Sequence, residues 1–304
     1  AAWFVDDSPF WVINTDIAAD VSPRPFLADF EKHSPLASLW MEDGTGPRTV
    51  EMIRGRIVNF RSANPGSGGT YTFCGLQLVS PSLLKYLPVE TCFSLVDLYE
   101  RAMAASKRIR GVVVRGSYWS DLGTPERYLE THGEVFRRSR DKLRGGRLMA
   151  GAPRRGAGKR MPGWASVGRG AMVGPGTTVN DSVIWDGARI APGSCVTNAI
   201  VAGGAAVSGR VEGLAAPCRK LDRSDPVRMI VDRSGRDAMR TTAIFLNPRG
   251  SDRSFTRLTG PDGDLILIRY GIARSENARY ASHARFLRAN GVPVPKVVCD
   301  FPAE

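Results

Sequence analysis

The chain has few of the residues that build compact metal or disulfide sites. Among 304 residues there are only five cysteines and three histidines. Cys74, Cys92, Cys195, Cys218 and Cys299 are odd in number, widely scattered and contain no Cys-x-x-Cys pair. That spacing argues against a zinc knuckle or a disulfide framework and predicts reduced thiols in a cytoplasmic protein. His33, His132 and His283 are too dispersed for a metal cluster and read as surface or helix residues. No apolar run approaches the roughly 18–20 residues that span a bilayer, so no membrane crossing is expected. The opening Ala1 to Asp7 has no basic segment followed by an apolar one, so no secretory signal is read there.

Acidic residues are also in deficit, 30 against 42 Lys and Arg, which leaves a net charge of +12. Most of that excess sits in one place. Between Arg137 and Arg160 there are ten basic residues against the single acid Asp141. Gly145, Gly146, Gly151, Pro153, Gly156 and Gly158 fall in the same stretch, so a flexible basic linker is expected over 141–164. Such a segment attracts polyanions. It lacks the interleaved aromatics that stack on bases, and nucleic acid is not expected as a partner.

Residues 1–140 alternate strand and helix signals, which predicts an α/β domain. Phe10 to Thr15 reads as a buried parallel strand with a polar corner. Leu36–Met41, Arg56–Phe60, Thr70–Val79 and Gly111–Val114 read as further strands, and Pro25–Lys32 and Phe93–Ala105 as helices. Thr124 with Pro125 and Glu126 has the signature of a capped helix start.

A different pattern begins at 165. Val167 and Val173 lie six apart, as do Ile184, Ile190 and Val196, and again Val201 and Val207. Small residues follow them, as in Gly174-Pro175-Gly176 and Pro192-Gly193-Ser194. One aliphatic residue in six with a small-residue corner predicts a short left-handed parallel β-helix of hexapeptide repeats over 165–211, needing caps at both ends. The polar stretch 212–240 reads as a second linker. In 241–304, Ala243–Leu246 reads as a strand and Phe255–Leu258 with Leu265–Arg269 as a hairpin. Glu276–Ala289 reads as a helix stopped by Gly291.

Two aspartates are placed for chemistry. Asp16 follows a strand, where open α/β sheets bind ligands, and Asp121 lies between a strand and a capped helix. Mg2+ on a phosphate substrate takes one or two protein carboxylates and several waters, which such a pair would supply. Turn aspartates that satisfy only local amides are the alternative.

The residues around these aspartates resemble the sugar-1-phosphate nucleotidyltransferase family over residues 1 to about 138. Phe10-Trp11-Val12-Ile13-Asn14-Thr15-Asp16 is similar to the strand leading into that family's metal motif. Trp119-Ser120-Asp121-Leu122-Gly123-Thr124-Pro125 with Tyr128 is similar to its Trp-x-Asp-Ile/Val-Gly-Thr-Pro-x-x-Tyr motif. Tyr71 to Gln77 resembles the strand that lines the sugar pocket. The resemblance implies Asp16 and Asp121 as Mg2+ ligands and Gly75 as a backbone contact to the sugar. It implies a sugar 1-phosphate and a nucleoside triphosphate as substrates and an NDP-sugar and pyrophosphate as products; a homo-oligomer through the β-helix is a further expectation. No catalytic side chain is assigned.

The sequence departs from the family at Thr15, where glycine is usual, and at Asn59-Phe60-Arg61, where a Glu-Lys-Pro motif is usual. The family's opening Gly-rich nucleotide loop would lie before residue 1. The expectation is therefore the carboxyl-terminal part of the catalytic domain, weak or inactive alone. Gly250-Ser251-Asp252-Arg253-Ser254, Leu265–Tyr270 and Gly291–Val297 resemble the start of an aminoglycoside-phosphotransferase-type kinase, which implies a fused sugar kinase. Two other classes are compatible with parts of this pattern. A hexapeptide acyltransferase would need a coil histidine, and 165–211 has none. A catalytically inactive regulatory or scaffold subunit stays open.

Overall fold

A computed structural model describes residues 5–87, 93–138, 148–150 (backbone only), 163–246, 253–271, 277 and 279–300. The chain divides into two units, Ala1–Tyr128 and Leu129–Glu304.

The first unit runs β1 (Phe10–Ile13), β2 (Ile17–Asp20), α1 (Arg24–His33), β3 (Ala37–Glu42), β4 (Val50–Ile53), β5 (Arg56–Asn59), β6 (Thr70–Val79), α2 (Leu95–Ala104), β7 (Ile109–Val113) and β8 (Tyr118–Asp121). Helix α3 (Pro125–Arg138) starts in this unit and ends in the second. Six strands form a mixed sheet in the order β1-β6-β3-β7-β5-β4, with β4 also pairing β6, and β2 pairs β8 separately. β3 is buried on both faces, which explains its near-continuous apolar sequence. Leu39, Met41, Ile57, Tyr99 and Ile109 fill one core, and Phe26, Trp40, Cys74 and Leu78 fill another. The buried Ser38 donates to Asp29 at 2.8 Å, and Asp29 also accepts from Arg110 Nε at 2.8 Å. That network satisfies a polar residue in the middle of the sheet.

The expectation of a buried parallel strand at Phe10–Thr15 is corrected by the structure. β1 lies at the sheet edge, antiparallel to β6, with Phe10 opposite Val79 and Ile13 opposite Leu76. One side faces solvent, and Ile13 is 59% exposed. A four-residue apolar run does not reveal whether both of its faces are covered.

The second unit contains a β-solenoid. Its strands are β9 (Leu148–Ala150), β10 (Trp164–Val167), β11 (Met172–Val173), β12 (Thr178–Asn180), β13 (Ser182–Ile184), β14 (Arg189–Ile190), β15 (Cys195–Val201), β16 (Ala206–Val207) and β17 (Arg210–Pro217). Ala165 pairs with Ser182, Met172 with Arg189 and Thr178 with Cys195, all parallel. Each of three walls therefore repeats every 17 residues, except that the last coil is shorter, with β15 pairing β17 at offsets of 15 and 14. Valine and isoleucine advance by six, six and five: Val167, Val173 and Val179, then Ile184, Ile190 and Val196, then Val201 and Val207. Corners need backbone at positive φ. Gly170, Gly187 and Gly204 supply one corner, and Gly176, Gly193 and Gly209 the next. Asp181 (φ 45°), Asn198 (φ 48°) and Gly213 supply the third, where the step is five.

Of the seven aliphatic residues expected inward, Ile184, Ile190, Val196, Val201 and Val207 are buried in one cluster, against which Val167 packs. Val173 is 37% exposed, because β11 is the edge strand of its wall and, among the described residues, no earlier coil covers it.

The stretch expected as a second linker is ordered. After β17, a short 3-10 turn leads into α4 (Pro226–Arg233), capped by Asp225 accepting from the Val227 amide at 2.8 Å. Val227 and Val231 pack with Cys218, Ala238, Ala243 and Leu258. Burial pushes the Cys218 thiol up to about 11. β18 (Thr242–Leu246), β19 (Arg253–Thr259) and β20 (Leu265–Tyr270) then continue one solenoid wall, with Leu214 of β17 opposite Phe245 in antiparallel register. The segment expected as the start of a separate kinase-like lobe thus shares a sheet with the solenoid. Most of its expected phosphate turn lies outside the described residues; Arg253 and Ser254 open β19. The expected helix is α5 (Tyr280–Ala289), ending near Gly291 at φ 77°.

Within the expected basic linker, Leu148–Ala150 pair antiparallel with Trp164–Ser166. The rest of that stretch lies outside the described residues. Near the end of α3, the His132 ring stacks on Trp164 with centroids 6.1 Å apart. Gly133 is needed beside it, since a Cβ there would lie 2.7 Å from the indole nitrogen.

Two outcomes test this packing. Ile190→Ala should cost about 2–5 kcal/mol in denaturant unfolding, whereas Val173→Ala should cost under about 1 kcal/mol. Burial holds the His132 pKa below its ordinary 6.5. Below that pH the unfolded chain takes up a proton that the folded form resists, so stability falls as pH drops. His132→Phe keeps an aromatic ring for the stack and should lose less stability than the parent chain between pH 7 and pH 5.

Candidate active site

The candidate residues are brought together by two ladders. β2 runs antiparallel to β8, with Ile17 opposite Asp121 and Ala19 opposite Trp119. The Leu122 amide donates to the Asp16 carbonyl at 2.7 Å. The backbones of Asp16 and Asp121 therefore lie side by side, although their positions are 105 apart in sequence.

The second ladder adds Gly75. In β6 the register against β3 shifts between the Leu39–Gln77 and Met41–Phe73 pairs, which leaves Cys74, Gly75 and Leu76 as an irregularity. Gly75 has φ +79°, and its carbonyl accepts from the Asn14 amide at 2.8 Å. A Cβ at 75 would sit 2.9 Å from the Asn14 side chain, so local packing already demands glycine there. Trp119 Nε1 donates to the Cys74 carbonyl at 2.9 Å, tying β8 to the irregular turn of β6. Trp119 and Asp121 are two apart on one strand and so share a face.

Asp121 has partners of its own. One carboxylate oxygen accepts from the Gly123 amide at 2.7 Å and the other from Arg127 at 2.8 Å. Thr124 Oγ1 accepts from the Arg127 amide at 3.2 Å, as an N-cap does. Arg127 thus occupies the third residue of α3, where a capping box carries Glu or Gln and where the helix dipole disfavours a cation. The Asp121 carboxylate offsets that charge. Asp16 is exposed. Among the described residues, no group of three or more His, Cys, Asp and Glu is arranged to hold a metal ion. A pair of carboxylates suits Mg2+ only if waters and substrate oxygens complete its shell. In donor type the pair fits, and Arg127 competes with a cation for Asp121.

Cys74 supplies no nucleophile. It is fully buried, and burial with the nearby Glu42 charge pushes its thiol far above the reactive range. Asn14, Trp119 and Arg127 carry no role in the sequence reading. Asn14 and Trp119 lay within the quoted motifs, and Arg127 is legible as a cation in a helix's first turn.

No protein-family model matches the chain, and no curated protein matches it. Solved structures align with part of it, among them the following two. One is a protein described as a glucose-1-phosphate thymidylyltransferase from Bacillus anthracis, in complex with sucrose. It is 17% identical, with a TM-score of 0.38, over 47% of this chain and 59% of that one. The other is the inositol-1-phosphate CTP transferase from T. maritima, at 12% identity and TM-score 0.38, over 47% of this chain and 60% of that one. The chain spans about three-fifths of the length of each.

Gly75→Ala tests the irregular turn. It places a side chain at positive φ against Asn14 and should destabilise the protein by about 1–3 kcal/mol, measured by denaturant unfolding.

Proposed function

We propose that the chain carries the metal-binding part of a nucleotidyl-transfer site acting on a nucleoside triphosphate and a sugar 1-phosphate. The observation that supports this most is the register that sets Ile17 opposite Asp121 and hydrogen-bonds Leu122 to Asp16. Incidental turn aspartates have no reason to have adjacent backbones. Asp16 and Asp121 would hold Mg2+, which when bound neutralises charge on phosphate oxygens. The chain's own residues orient that pair. The Gly123 amide fixes one oxygen of Asp121, and Trp119 anchors β8 to the turn at Cys74. Gly75, on that turn, is the proposed backbone contact for the sugar. Arg127 pairs with Asp121, and a bound cation would compete with it for that carboxylate.

A second reading is a regulatory or scaffold subunit with the solenoid as its assembly surface. One observation favours it: both Asp121 oxygens already have protein partners.

Mn2+ titration of the whole chain, with a nucleoside triphosphate present and free Mn2+ followed by electron paramagnetic resonance, separates the two. Asp16→Asn and Asp121→Asn should each weaken Mn2+ binding at least tenfold. Arg127→Gln should tighten it by up to about fivefold, since exposed ion pairs are worth about 0.2–1 kcal/mol. That gain should vanish in the Asp121→Asn background. Unchanged binding in both aspartate variants rejects the metal assignment. No Mn2+ binding to the parent chain favours the scaffold reading.

A further inference from the structure

A half-open surface cavity of about 470 Å3 lies in the first unit, at the start of β3 and β7 and the end of β6, with Ser34, Lys85, Ser106, Lys107 and Arg108 exposed at its rim. The aspartate pair lies the other way. Phe10 aligns with Val79 and so with Ala37 at the start of β3, and the chain then runs on past Asn14 to Asp16. The cavity is therefore distinct from the candidate active site.

Its lining is unusual in charge. Lys85, Lys107 and Arg108 contribute three cations, and no carboxylate lines it. Ser34, Ser80, Ser82 and Ser106 contribute four hydroxyls. Helices α1 and α2 both end here, and each helix terminus presents roughly half a negative charge. Arg108 serves one of them, donating to the His33 carbonyl at 3.0 Å. Three cations against about one negative unit leave an excess near +2, which matches the charge of about −1.5 to −2 on a phosphate monoester at neutral pH. The side chains of Lys85, Lys107, Ser34 and Ser106 have no hydrogen-bond or ion-pair partner among the described residues.

Two of the serines are held at a conformational cost. Ser34 caps α1 at φ 41° and Ser106 follows α2 at φ 60°. Glycine is the usual residue at such left-handed helix ends. Two separate helices end instead in a serine, and both serines line the same cavity.

We propose that this cavity binds a phosphorylated small molecule, with Lys85 and Lys107 taking the phosphate charge and Ser34 and Ser106 donating hydroxyl hydrogen bonds. The volume exceeds what a bare phosphate needs, and the open rim leaves room for the rest of a sugar or nucleoside phosphate. The assignment stands independently of the metal site.

The test uses the whole chain in EDTA with the Asp121→Asn change present, so that the candidate active site does not contribute. Pyrophosphate and a hexose phosphate are titrated by calorimetry. Both should bind, and Lys85→Ala with Lys107→Ala should weaken them at least tenfold without altering the circular dichroism spectrum. Ser34→Gly with Ser106→Gly gives the sharper outcome. The melting temperature should rise as backbone strain is relieved, while affinity falls several-fold. A purely structural role for the serines predicts the rise alone, and unchanged affinity in that variant overturns their assignment. No binding of either probe at millimolar concentration overturns the proposal. Binding of a short oligonucleotide through the same lysines, without binding of the small phosphates, also overturns it and makes the cavity part of a nucleic-acid surface.

Discussion

One strand fixes the positions of most of the first unit. β6, ten residues long, pairs antiparallel with β1, β3 and β4. In a sheet a slip of one residue turns every side chain to the opposite face, so its neighbours inherit their orientation from its register. The irregularity at Cys74 to Leu76 is tolerated because it is tied from both sides, by Asn14 in the segment after β1 and by Trp119 on β8. Removing either tie frees the turn whose neighbours place Asp16 and Asp121. The candidate site is thus an outcome of strand register and only secondarily of the two aspartates.

The solenoid was legible because its period is written in the aliphatic residues. The spacing of six at Ile184, Ile190 and Val196 is the direct trace of a wall and a corner. The coil length was not legible, since the third corner shortens each repeat by one residue. At that corner Asp181 and Asn198 take the backbone conformation that glycine takes elsewhere, so the corner carries no glycine signature until Gly213. The stretch 212–240 misled through composition. Its charges and proline suggested a linker, yet Asp225-Pro226 is a sound helix start, and Val227 and Val231 lie one turn apart on a buried stripe.

In the first unit, β6 and β3 announced themselves through long apolar patterns, and the capped start of α3 through Thr124-Pro125. The β2–β8 ladder did not. Both strands are four residues long, and β2 has little apolar content beyond Ile17. Such short strands exist only through each other, a non-local fact that propensity cannot supply. That ladder is what brings the aspartates together. The motif resemblance pointed to these two aspartates, and the ladder that sets their backbones side by side had no sequence signal.

The wall formed by β10, β13, β15 and β17 does not end as a parallel edge. Its last strand is closed by β18 running the opposite way, and its first by the equally reversed β9. Parallel solenoids with open ends are templates for stacking copy upon copy into fibres, because each exposed strand matches the next in direction. Here the chain reverses at both ends of that wall, so a further copy meets backbone groups that do not continue the coil. Lengthening the solenoid over evolutionary time would then proceed by inserting whole 17-residue coils between the two reversals, leaving both stops in place.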